Sequence, residues 1–62
     1  MTDSERAAKL RTQLIKLSTD LLAREDEHES FGRASEIVFA AAVSVGSAKS
    51  HIEFAESGAK AA

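Results

Sequence analysis

Two short patterns in this 62-residue sequence combine residue types that could do chemistry. In the first, Glu25 and His28 stand three residues apart, a spacing that puts both side chains on one helix face and that helical bundles use to hold metal ions. A symmetric pair of chains would supply this pattern twice, and Glu36 could add a carboxylate. We nevertheless predict no metal site, because the pattern lies in an acidic segment beside a turn, whereas such sites lie in the middle of a bundle.

The second pattern is a group of serines that precede His51 in the sequence. The serines are Ser35, Ser44, Ser47 and Ser50. Nucleophilic catalysis requires an oriented base, an oxyanion donor and a pocket, and the sequence indicates no such arrangement. A chain this small also has little room for a cleft. We therefore predict that the protein is not an enzyme and that it has no catalytic residue and no cofactor.

The elements that carry these residues are two helices. Thr2 and Glu5 have the spacing of a capping box, and the residues that follow are apolar at steps of three and four, as on one face of a helix. These apolar residues are Ala7, Leu10, Leu14, Leu17 and Leu21. They predict a first helix over residues 3–27.

A second helix is predicted from a double series of residues with a period of seven. Large side chains at Phe31, Val38, Val45 and Ile52 alternate with alanines at Ala34, Ala41, Ala48 and Ala55. The series predicts a helix over residues 31–57, preceded by a turn at about residues 28–31 and followed by a frayed tail at residues 58–62. An acidic cluster at residues 25–29 marks the interruption, since negative charge is disfavoured at a helix C-terminus.

Together these elements predict an all-α fold: an antiparallel two-helix hairpin that dimerises into a four-helix bundle. Dimerisation is expected because a chain of 62 residues without cysteine hides only about 60% of its unfolded surface and has no disulfide to compensate. The expected oligomer interface comprises Leu10, Leu14, Leu17, Leu21, Phe31, Ala34, Val38, Ala41, Val45, Ala48, Ile52 and Ala55. We expect the alanines to mark the closest approach of the helices, because small side chains let two backbones come together.

Gly46 lies inside the second predicted helix and leaves two interpretations open. A glycine in a helix interior is less favourable than alanine by about 1 kcal/mol. It could allow a neighbouring helix to approach closely, or it could mark a break in the helix.

A break at Gly46 corresponds to a resemblance within residues 35–56. The stretch from Glu36-Ile37 through Val43-Ser44 to His51-Ile52 resembles the helix-turn-helix of LuxR-type response regulators, and the spacing matches without a gap. By this resemblance, residues 47–56 would form a recognition helix in the major groove of DNA. The implied DNA-binding residues are Ser47, Lys49, Ser50 and His51. A DNA-binding regulator is therefore the alternative function.

Charge favours a different kind of partner. The formal net charge is −2, whereas proteins that bind mainly through phosphate contacts are usually basic. A basic bias in the first helix nevertheless leaves open an RNA-binding four-helix bundle that is similar to Rop in architecture alone. The residues that carry this bias are Arg6, Lys9, Arg11, Lys16 and Arg24.

The sequence also gives an expectation about location. The first five residues are acidic and polar, and the longest apolar run, residues 37–43, is too short to cross a bilayer. We therefore expect a cytoplasmic protein without membrane contact. The predicted function is that of a small, non-enzymatic, self-associating helical module that binds another macromolecule, and we favour a protein partner whose identity is unknown.

Overall fold

The structure, a computed structural model, describes residues 1–61, with side chains described for residues 1–58. It contains two helices, α1 (Asp3–Ala23) and α2 (Glu29–Ala61), which pack against each other as a hairpin. Ser18 contacts Ser35, and the earlier residue Arg11 contacts the later residue Gly46, so the helices are antiparallel. The predicted all-α hairpin is therefore confirmed, whereas its dimerisation into a four-helix bundle stays a prediction.

A capping box fixes the start of α1. The Thr2 hydroxyl accepts the Glu5 backbone N–H at 3.2 Å, and the Glu5 carboxylate accepts the Thr2 backbone N–H at 3.4 Å. These bonds satisfy N–H groups that have no partner inside the helix. Asp3 and Glu5 also place negative charge at the positive end of the helix dipole.

The turn lies earlier in the chain than the sequence predicts. α1 ends at Ala23 rather than at residue 27, and α2 begins at Glu29 rather than at residue 31. His28 precedes α2, and its Nδ1 accepts the Ser30 backbone N–H at 3.0 Å. The imidazole therefore acts as the N-terminal cap of α2. Serine, asparagine and aspartate are the usual residues at this position, so the sequence carries no strong signal for a histidine cap.

The second helix is continuous across its three glycines, Gly32, Gly46 and Gly58. α2 passes through Gly46 and Gly58 and ends at Ala61, so residues 58–61 of the predicted tail are helical and Ala62 lies outside the described residues. A Cβ atom at Gly46 would stand 3.2 Å from Nε of Arg11. Gly46 therefore makes room for the Arg11 side chain, and the helix break that the LuxR-type resemblance implies is absent from residues 29–61.

The hairpin is long and thin and has very little core. Its radius of gyration is 15.0 Å, compared with about 10.6 Å expected for a compact domain of this length. Among the described residues, Ala42 is the one buried apolar residue, and no large side chain is fully buried. A stable globular domain normally buries a set of large apolar side chains. Residues 1–58 do not do so within a single chain.

Small residues form the closest contact between the two helices. Ser18, Ser35 and Ala42 are 5%, 7% and 1% exposed, respectively. The Ser35 hydroxyl donates to the Ser18 backbone carbonyl at 2.8 Å, across the interface. The buried polar side chains thus have partners, and the helices are held together where their backbones are near.

The prediction that the four periodic alanines mark the closest approach is wrong for the hairpin. Ala41, Ala48 and Ala55 are exposed, and Ala34 is half-buried. The stripe that faces α1 lies one residue further along and includes Ala42. The reason is that two neighbouring stripes of α2 share the same seven-residue period, and periodicity does not say which of them faces α1. The role of the four alanines between two copies of the chain stays a prediction.

Candidate interaction surfaces

The hairpin has two broad sides, and the position of each residue follows from the buried contacts. An antiparallel pair of helices has an approximate two-fold axis perpendicular to the plane of the helix axes. We count positions from one buried contact residue in each helix. A residue of α1 and a residue of α2 that stand the same number of positions from these contact residues, in the same chain direction, therefore lie on the same side of the hairpin. Ser18 in α1 and Ala42 in α2 are the buried reference residues.

One side is apolar along most of its length. The offsets −8, −4, −1 and +3 give Leu10, Leu14, Leu17 and Leu21 in α1, and Ala34, Val38, Ala41 and Val45 in α2. We call this side the seam face and define it by these eight residues with Phe31, Ala48, Ile52 and Ala55. The structure thus brings the predicted interface residues to one side of the hairpin, which does not show that a second copy binds there.

The seam face is only partly covered within the chain. Leu10 and Leu17 remain 47% and 45% exposed. Leu14, Leu21, Phe31, Val38, Val45 and Ile52 are half-buried. Apolar side chains that remain partly exposed together on one side of a small protein make that side a candidate interaction surface.

The other side carries a groove that was not predicted from the sequence. Near the turn it encloses about 500 Å³ and is lined by Ile15, Ser18, Thr19, Leu22, Ser35, Glu36 and Phe39. Leu22 and Phe39 are about half exposed, at 54% and 53%. We call this side the groove face and define it by these lining residues with Val43, which is 58% exposed.

The groove face becomes polar and basic toward the open end of the hairpin. A second hollow of about 390 Å³ is lined there by Ala8, Arg11, Thr12, Gly46, Lys49 and Ser50. Lys49 forms an ion pair with Glu53 at 3.1 Å, whereas Arg11 forms none among the described residues. A signal for the groove was present in the sequence, because Ala8, Ile15 and Leu22 also recur every seven residues. The longer leucine series concealed it.

At the turn, the residues of the possible metal pattern have other contacts. The His28 Nδ1 atom caps α2, and the Glu25 carboxylate lies against Gly32, where a Cβ atom would overlap it. Among the described residues, no three side chains of the His, Cys, Asp or Glu type come together as a metal site.

Arg24 joins the two ends of the turn. Its guanidinium lies 4.2 Å from the centroid of the Phe31 ring, and its Nε donates to the Glu27 carboxylate at 2.9 Å. The hydrogen bond that Arg24 donates to Glu27, together with the negative charge of Glu27, raises the pKa of Arg24 above its ordinary value. The charged arginine therefore covers an aromatic residue at the edge of the seam face.

The residues of the DNA-binding alternative do not share one helix face. Lys49 is half-buried beside α1, whereas Ser47, Ser50 and His51 are exposed. The Ser50 hydroxyl donates to the Gly46 carbonyl at 3.4 Å. Residues two apart, such as Lys49 and His51, point about 200° apart on a helix. The structure therefore does not present these two side chains together.

Comparison with known proteins gives no relative from which a function could be transferred. No protein family, curated protein or solved structure matches the chain. Within the described part of the chain, neither helix combines the length and the apolar character that are required to cross a membrane.

Proposed function

We propose that this protein is a small, non-enzymatic helical module that self-associates through the seam face and acts by binding another macromolecule. The observation that carries the proposal is the contrast between the apolar side chains that the hairpin buries and those that it leaves on the seam face. The described residues bury one apolar side chain, Ala42, while twelve apolar residues lie on the seam face. A second copy would cover that face and supply the missing core.

The size of the exposed surface supports a second copy. The chain exposes 4772 Å², and a compact monomer of its mass would expose about 3,900 Å². The excess is about 900 Å², close to the roughly 800 Å² that each partner covers in a protein interface of standard size. Two hairpins packed through their seam faces would form a four-helix bundle.

The same arrangement leaves the groove faces on the outside of the bundle, where a second macromolecule could bind. We favour a protein partner because the chain carries a net charge of −2, and strong phosphate binding requires clustered positive charge. The continuous α2 also lacks the turn of a helix-turn-helix. Cytoplasmic location stays a prediction.

The test is sedimentation equilibrium of the intact chain over a wide range of concentrations, with circular dichroism on the same samples. We expect a dimer with high helicity and a loss of helicity as the dimer dissociates. A well-folded monomer at high concentration would contradict the proposal. In that case, salt-dependent retention on random duplex DNA would favour the DNA-binding alternative, and preferential retention on structured RNA would favour an RNA-binding bundle.

A further inference from the structure

The two hollows of the groove face follow one another along the same side of the hairpin. Ala8 lines the basic hollow, and Ile15 and Leu22 line the hollow near the turn. Their spacing of seven residues is close to two helical turns, so the three side chains lie in one row along α1. The row from Ala8 to Leu22 is about 21 Å long at 1.5 Å per residue. This length matches a bound helix of about four turns.

The polar groups at the floor of the groove already have hydrogen-bond partners within the chain. The Ser35 hydroxyl donates to the Ser18 carbonyl, and the Ser18 hydroxyl donates to the Ile15 carbonyl, both at 2.8 Å. A ligand therefore need not supply polar groups to the floor. Apolar side chains that pack on Ile15, Leu22 and Phe39 would instead cover surface that is now in water.

The two ends of the groove carry opposite charge. At the turn end, Glu36 lines the groove, and Glu25 lies on the same side against Gly32. Neither carboxylate forms an ion pair among the described residues. At the open end, the lining includes Arg11, which forms no ion pair among the described residues, and Lys49, which is paired with Glu53 at 3.1 Å. Such a gradient distinguishes the two directions in which a helix could lie.

We propose that the groove face binds an amphipathic helix of another protein, with basic residues near its N-terminus and acidic residues near its C-terminus. The N-terminus lies at the Glu36 end, and the C-terminus lies at the Arg11 end. The helix dipole adds to this preference, because its positive end meets the carboxylates and its negative end meets the cations. This proposal specifies the kind of protein partner for the function proposed above. It rests on that function, in which two copies of the chain associate through the seam face.

A second copy of this chain fits the groove poorly. The first turn of α1 contains Asp3 and Glu5, and the first turn of α2 contains Glu29. Either helix in the proposed direction would bring negative charge to the acidic end of the groove. Like charges brought together at an interface disfavour that partner. The charge pattern therefore selects a different protein.

The test uses two synthetic peptides of identical composition and about 14 residues, each with leucines on one helix face. The forward peptide has lysines in its first turn and glutamates in its last turn, and the reversed peptide has these charges exchanged. Binding to the intact, isotope-labelled protein is followed by the chemical shifts of its amides. We expect the forward peptide to bind about tenfold more tightly, with shifts at Ile15, Thr19 and Phe39.

The helix stability of the two free peptides favours the opposite result, so the test of the two peptides is a stringent one. The reversed peptide has charges that suit its own dipole and forms the better free helix. Tighter binding of the forward peptide must therefore come from the protein. Equal affinities, a preference for the reversed peptide, an absence of binding, or shifts confined to the seam face would each overturn the proposal.

Variants identify the groove as the binding site. Glu36→Lys is expected to remove most of the preference for the forward peptide, and Phe39→Ser is expected to weaken binding of both peptides. Phe54→Ser is the matched control, because Phe54 is 80% exposed and does not line the groove. Equal effects of Phe39→Ser and Phe54→Ser would contradict the assignment.

Sedimentation of the same samples separates the two proposals. A dimer that fails to bind the forward peptide would overturn the groove assignment alone. A well-folded monomer would overturn the self-association on which it rests.

Discussion

The seam face and the groove face belong to the same two helices but differ in chemistry. The seam face consists of apolar residues over twelve positions. The groove face combines apolar residues with Glu36 near the turn and with Arg11 and Lys49 at the open end. An uncharged apolar face suits a permanent interface, because burying an unpaired charge is costly. A face with charged ends suits a partner that must be recognised in one orientation.

The comparison also shows what the contact between α1 and α2 contributes. Ser18, Ser35 and Ala42 bring the helices close together and bury little apolar surface. The hairpin contact therefore sets the geometry of both faces, whereas the proposed self-association through the seam face would supply most of the apolar burial. Three predictions test this division, and each compares matched substitutions.

The largest expected effect is that of a charge on the seam face. Val45→Asp would place an unpaired carboxylate in the proposed dimer core, and we expect at least a hundredfold loss of self-association, about 3 kcal/mol. Val43→Asp is the same change two residues away on the groove face and is expected to leave the dimer intact. Sedimentation equilibrium measures both variants. Equal loss in the two variants would remove the distinction between the faces.

The next effect concerns alanines on the two neighbouring stripes of α2. Ala42→Leu overpacks the contact between α1 and α2, and we expect it to destabilise the hairpin by about 1–3 kcal/mol. Ala41→Leu and Ala48→Leu are expected to destabilise the assembly by a similar amount, because these exposed alanines lie on the seam face.

Thermal melts at several protein concentrations measure these variants, and exposed Ala40→Leu is the control. If Ala41→Leu and Ala48→Leu matched or exceeded the parent protein in stability, close packing of the seam alanines would be excluded. If Ala42→Leu had no effect, the hairpin contact would be wrong.

The smallest effect is that of the buried hydroxyl. Ser35→Ala removes the hydrogen bond to the Ser18 carbonyl, and we expect a loss of about 1 kcal/mol. Ser50→Ala removes a longer bond of 3.4 Å on an exposed residue and is expected to change stability by less than about 0.5 kcal/mol. Urea unfolding of both variants provides the comparison. A larger loss for Ser50→Ala would show that the buried bond does not hold the hairpin together.

Much of the local structure could be predicted from sequence because its causes are local. Thr2 and Glu5 determine the start of α1 through bonds to neighbouring backbone groups. The end of α1 was predicted less well, since no glycine or proline marks the turn over residues 24–28. The cap of α2 by His28 was missed because histidine is uncommon in that role.

The groove was missed for a different reason. Ile15 and Leu22 stand directly beside Leu14 and Leu21 in the sequence, yet they line the other side of the hairpin. A helix of this length can carry two apolar stripes at once, and their separation becomes visible only when a neighbour divides them. Ser18 and Ser35 gave no apolar signal, because serine is neither large nor apolar, yet they form the dividing contact.

The sequence by itself determined that this protein is helical, that it has two helices, and that one stripe of leucines, valines and alanines repeats every seven residues. These properties depend on residues within a few turns of one another. Only the tertiary structure decided which stripe is buried inside the hairpin and that α2 is continuous through Gly46. The physical reason is that helix periodicity fixes the angle between stripes, whereas the stripe that faces inward is selected by backbone approach at Ser18, Ser35 and Ala42.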